Sequence, residues 1–173
     1  MSKPVFIIGA VFVLLLLVFC CLYIQGNIGI PVGKIIDEEI DAVSWDREDC
    51  DVVSAYSDGG SLYVGIIYKK DYSAANYFIY VKRGGLHLGW HFLQGGNLPG
   101  ADGLRAFECG GYGRAYVALN ADHNIHKIEF EDGREPAVVE DIQGPVCEQS
   151  QRVIQFYDVD GNIIEPIRVL VTE

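Results

Sequence analysis

The histidines are the residues of this chain best suited to hold a metal or move a proton. His87 and His91 are four apart and His123 and His126 three apart, spacings that chelate zinc when they fall on a helix. The surrounding pattern denies the first pair a helix. "LHLGWHF" alternates in the manner of a strand, where positions four apart lie about 13 Å from one another, beyond what two zinc bonds of roughly 2 Å can bridge. The alternation sets His87 and His91 on the face opposite Trp90, exposed or covered by a loop. His126 shares a face with Ile128 and Phe130 and reads as a core-edge histidine. A zinc centre, and a metal-assisted hydrolase built on it, would have to be assembled across strands.

Other chemical patterns fail on their spacing. "DVDGNIIE" places Asp158, Asp160 and Asn162 as the first ligands of a calcium loop, but Ile163 and Val169 stand where that loop needs glycine and glutamate. The strand-turn-helix elbow of serine hydrolases is missing, and "GGSLY" around Ser61 reads as a turn entering a strand. "GGYGRAY" from Gly110 precedes a strand instead of opening a helix, so it is no phosphate cradle. Asp46, Glu48 and Asp49, or Glu140 with Asp141, have the composition of an acid/base pair but read as solvated surface charge. No residue is assigned a catalytic role, and no cofactor is implied. What remains is aromatic. Tyr72, Tyr77, Tyr80 and Trp90 are the side-chain types that supply binding energy in glycan and protein sites, and the candidate ligand-binding set is Tyr77, Tyr80, His87, Trp90 and His91.

The elements that must position these residues begin with an anchor. Pro4 to Ile24 carries no charge, and a helix of that length spans roughly 30 Å, the thickness of the bilayer hydrocarbon. A cleavable signal has a shorter apolar run and a small-residue cut site, neither of which is present. Cys20 and Cys21 follow bulky Phe19 and Cys20, unlike a lipid-modified cysteine, and read as apolar filler. Lys3 lies before the segment and nothing basic follows until Lys34, which predicts a single-pass cell-membrane protein with a cytoplasmic amino terminus and the remainder exported.

The chain carries 13 basic and 24 acidic residues for a net charge of −11. Every charge except that of Lys3 lies beyond the anchor. Such acidity argues against nucleic acid and anionic headgroups as partners. Cys50, Cys109 and Cys147 permit one disulfide with one thiol left over, with three pairings open; no C-x-x-C and no N-x-S/T sequon occurs.

Three regions follow: an anchor over 1–25, a Gly- and Pro-punctuated connector over 26–48, and one β-rich domain over 49–173. In the connector, Ile35, Ile36, Ile40 and Val43 fall on one face of a short amphipathic helix. Beyond Asp49, short apolar runs separated by turn residues predict eight to ten strands. Leu62, Val64, Ile66 and Tyr68 share one core face, and Leu86, Leu88, Trp90 and Phe92 another. "ANYFIYVK", apolar on both sides, reads as a central strand. "LRAFE", "RAYVALN", "HKIEFED", "RVIQFYD" and "IRVLV" supply further strands, with Asp132-Gly133 and Asp160-Gly161 as hairpin turns. Gln94 to Gly113 is glycine-rich and predicts irregular loops around "LRAFE". The economical fold is mainly β: an antiparallel β-sandwich or partly open barrel, preceded by the transmembrane helix.

The block "NYFIYVKRGGLHLGWHFLQGGNLPG", with the later "VIQFYDVDGN", resembles small membrane-anchored extracytoplasmic proteins of Gram-positive bacteria that have no established function. The resemblance implies location and β content and carries no site residues. The expected function is a non-catalytic extracytoplasmic interaction or accessory domain whose partner is another membrane or envelope protein. The alternatives are a wall- or glycan-binding module using the aromatic hairpin, and the metal-assisted hydrolase.

Overall fold

A computed structural model describes residues 3–56, 60–98, 103–130, 137–150 and 154–171. Helix α1 (Lys3–Ile24) contains the apolar run, and its stretch Ile7–Ile24 is long and apolar enough to cross a membrane, with none of its residues buried in the fold. It ends in a glycine cap. Gly26, at φ 69°, turns the chain into the left-handed region, its amide donates to the carbonyl of Tyr23, and that of Asn27 donates to Leu22. This paired closure satisfies carbonyls the helix would otherwise leave open. Helix α2 (Val32–Val43) follows Pro31, which cannot continue a preceding helix and whose fixed φ suits a helix start. Its Ile35 and Ile40 are buried with Ile36 and Val43 partly so, the face expected of it.

Strands β1 (Cys50–Tyr56), β2 (Leu62–Lys69), β3 (Ala75–Val81) and β4 (His91–Asn97) form an antiparallel meander, the anchor-side sheet. Strands β5 (Arg105–Cys109), β6 (Gly113–Ala118), β9 (Val146–Ser150) and β12 (Ile167–Val171) form a middle sheet in the order β12-β5-β6-β9. Strands β7 (Lys127–Phe130), β8 (Ala137–Glu140), β10 (Ile154–Tyr157) and β11 (Ile163–Ile164) form an outer one, ordered β11-β10-β7-β8. Twelve strands are therefore described, where eight to ten were expected. The strands outside the runs quoted above are β1, β8, β9 and the two-residue β11, and β4 extends through the glycine-rich Gln94–Asn97. Pairing is antiparallel except for β12, which runs parallel to β5. The sheets stack as a sandwich with a third layer and no closed barrel.

Three apolar interfaces hold the stack. Leu62, Val64, Ile66, Tyr77 and Ile79 meet Phe107, Ala115 and Val117 between the anchor-side and middle sheets. Ala106, Tyr116, Ile128, Ile154 and Phe156 fill the space between middle and outer sheets. On its far face the anchor-side sheet presents Tyr63, Ile67, Phe78, Tyr80 and Trp90 to α2. Strand β3 is covered on both sides, which its unbroken apolar run requires. Gly65 sits opposite Phe78, whose ring lies where a Cβ would be; the missing side chain makes room for the aromatic. The Asp160-Gly161 turn forms as expected, with Asp158 accepting the amides of Asp160 and Asn162, while Asp132-Gly133 lies outside the described residues.

The thiols form no disulfide. Cys50, Cys109 and Cys147 are buried and free. Burial pushes the Cys109 thiol up to about 11 and raises that of Cys147 as well; the latter donates to the carbonyl of Val64 at 3.2 Å.

Candidate interaction surface

The segment between β3 and β4 departs most from its expected form. "LHLGWHF" is not one strand, since β4 starts only at His91. Of the four residues expected on a core face, only Trp90 is buried. Leu86 is 76% exposed, Leu88 53% and Phe92 53%. Residues 84–90 instead make an open loop whose far limb pairs with the chain leaving α1. The amide of Leu88 donates to Asn27 O at 2.7 Å and that of Gly29 to Leu88 O at 2.6 Å. Ile30 and Trp90 exchange both their amide bonds, at 2.7 and 2.8 Å. Gly29 and Gly89 make this crossing possible: a Cβ on Gly29 would overlap the Trp90 carbonyl, and one on Gly89 would stand 2.8 Å from Gly29 O. An isolated glycine within an apolar alternation, as in "NIGIP" and "LHLGWH", is the sequence signal for such an approach.

The same departure brings the first histidine pair together. The rings of His87 and His91 meet edge to face with centroids 5.6 Å apart, because the loop folds back where an extended strand would have separated them. His87 is held by Gly84 O at 2.6 Å from Nδ1. His91 is 8% exposed, not solvent-facing; it pairs with Val81, whose face is the sandwich core. Its Nε2 makes no hydrogen bond within the described residues. Burial, then the positive charges of Arg83 and His87, holds its imidazole below the ordinary range. Among the described residues no three metal-ligating side chains gather at one point. His126 lies at a sheet margin as expected, 3.4 Å from Asp141.

The aromatic members of the candidate set are committed to the core. Tyr77, Tyr80 and Trp90 are 6%, 3% and 4% exposed. Tyr77 packs on Phe107 with centroids at 4.6 Å, and Trp90 meets Tyr63 edge-on at 5.7 Å with Lys82 Nζ 4.9 Å over its ring. The Tyr80 hydroxyl donates to Glu39 Oε1 at 2.5 Å, fastening α2 to the sheet; Tyr72 stacks on Tyr68. A sugar needs a free ring face, and these rings pack against Tyr63, Phe78, Phe92 and Phe107 instead. Both faces of the sheet being covered is the reason, and no single strand's pattern discloses that.

Two cavities and one strand edge lie elsewhere on the stack. A cleft of about 210 Å³ opens between middle and outer sheets, bordered by Tyr116, Ile154, Ile163 and the Arg114–Glu108 pair. Strand β12 is an edge of the middle sheet, with Ile167 54% and Leu170 76% exposed. A second cavity of about 300 Å³ is bordered by Asn120, whose amide is spent on Ile125 and Gly144 backbone. No protein-family model, curated protein or solved structure matches the chain.

Proposed function

We propose that this protein is a single-pass, membrane-anchored interaction domain, an accessory to another membrane or envelope protein, with the β stack on the extracytoplasmic side. The observation that carries the reading is the β12 edge. Among the described residues no strand pairs with its outer side, and Ile167 and Leu170 add exposed apolar side chains there. Proteins normally blunt such an edge with charge, proline or a covering loop, and an edge left apolar suits strand addition by a partner. Arg168 and the nearby Arg114–Glu108 pair supply a polar rim. The anchor gives this edge its setting, because the short, hydrogen-bonded connection to α1 presents the domain at the bilayer without a loose tether.

The experiment is a mild-detergent affinity purification of the full chain from its native membrane, beside the double variant Ile167→Lys with Leu170→Lys. A stoichiometric membrane or envelope protein recovered with the native chain and lost from the variant supports the reading. Recovery of the native chain alone counts against it.

A further inference from the structure

The loop 84–90, the start of β4 and the end of α1 are joined by backbone hydrogen bonds. The chain leaves α1 at Ile24, is capped at Gly26, and bonds to Leu88 through Asn27, three residues after the helix. Each residue advances the chain by at most about 3.6 Å, so a bilayer that holds α1 must pass close beside this loop. Here the fold exposes Leu86, Leu88 and Phe92, and across the bridge Val32 at the start of α2. These apolar side chains would face water only if the domain stood away from the membrane, which the bonded connection opposes.

The charge distribution agrees. In a chain of net charge −11, residues 1–36 and 72–101 contain no aspartate or glutamate. The bridge joins these two stretches to each other; Lys82 Nζ lies over the bridged Trp90, Arg83 follows it, and Lys34 follows the bridged Ile30 in sequence. The acidic groups of α2 begin at Asp37; Arg47 engages Asp37 and Asp41, Tyr80 engages Glu39, and Glu38 is exposed. Strong net acidity thus conceals a local face suited to anionic headgroups, with basic residues at headgroup level and leucines below them.

We propose that the 84–90 loop is a second membrane contact, seating Leu86 and Leu88 in the interfacial layer of an anionic bilayer beside the α1 exit and so fixing the tilt of the β stack. The proposal rests on α1 spanning a bilayer, as the functional reading does, and is independent of the β12 edge. A protein surface, including a second copy of this chain, is the competing occupant.

The test uses the full chain in vesicles of mixed zwitterionic and anionic lipid with brominated acyl chains. Leu86→Trp is compared with Val159→Trp, at an exposed turn of the outer sheet two layers away, after subtraction of the wild-type signal from Trp45 and Trp90. Flotation of the vesicles establishes first that α1 is inserted. Bromolipid quenching several-fold greater at position 86 than at 159, unchanged on dilution with lipid, is the expected result. Equal quenching at the two positions in floated vesicles overturns the second contact while leaving the anchor intact. Shielding at position 86 that appears without bromolipid quenching, or vanishes on lipid dilution, assigns the face to a protein and also overturns it. Failure to float removes the anchor and this proposal with it.

Discussion

Gly89 lies against Gly29 so closely that a Cβ on the former would stand 2.8 Å from the latter's carbonyl oxygen, and its φ of +81° is itself a left-handed conformation. The variant Gly89→Ala therefore meets both strain and overlap, for a cost of about 2 kcal/mol or more. The expected result is loss of hydrogen-exchange protection at Leu88 and Trp90 with protection of β2 and β3 retained. Unchanged protection at those two amides would show that the crossing tolerates a side chain.

Tyr80 fastens α2 through Glu39. Tyr80→Phe leaves the ring in the core and removes the donor from a half-buried carboxylate, at an expected cost of about 1–3 kcal/mol. Burial already raises the Glu39 carboxyl despite the Tyr80 bond, so the variant should raise it further. A carboxyl titration by NMR checks the direction, and chemical unfolding checks the cost.

His91 makes stability depend on pH. Its folded-state imidazole titrates below the ordinary 6.5, so the unfolded chain binds the proton more readily. The contribution is complete above the unfolded value and is lost as pH falls from there through the folded value. Glu39 and Glu148 are raised by burial and act with the opposite sign, which makes the difference between wild type and His91→Gln the useful quantity. The wild type should lose more stability than the variant between pH 7.5 and the folded value, read from urea midpoints. Parallel curves would remove His91 as the cause.

The three domain thiols should resist modification. A small alkylating reagent is expected to leave Cys50, Cys109 and Cys147 unlabelled in the folded chain and to label all three after denaturation without reductant, as read by mass. Protection that persists in denaturant until reductant is added would mean a disulfide the fold does not contain.

Trp90, at 4% exposure beneath α2, should show blue-shifted emission and little iodide quenching in a Trp45→Phe background. Strong quenching would displace it from the core.

Much of the architecture was legible in the sequence because it follows from periodicity. An uncharged run of helical length is an anchor candidate whatever packs beyond it. The Ile35–Ile40 spacing determined the buried face of α2, and the apolar run of β3 required cover on both sides. The aromatic and histidine set was not legible in this way. Alternation told that Trp90 and Phe92 share a face but not that α2 reaches only the first. It told that His91 points the other way but not that this side is the sandwich core. Leu86 and Leu88 counted as core because they are apolar, yet an apolar residue fixes only that water is unfavourable. The tertiary structure decided the rest: Gly29 and Gly89 let two backbones cross, the crossing opened the expected strand into a loop, and the loop came to lie beside the end of α1. Contacts between segments far apart in sequence depend on the register and stacking of whole sheets, which local spacing does not specify.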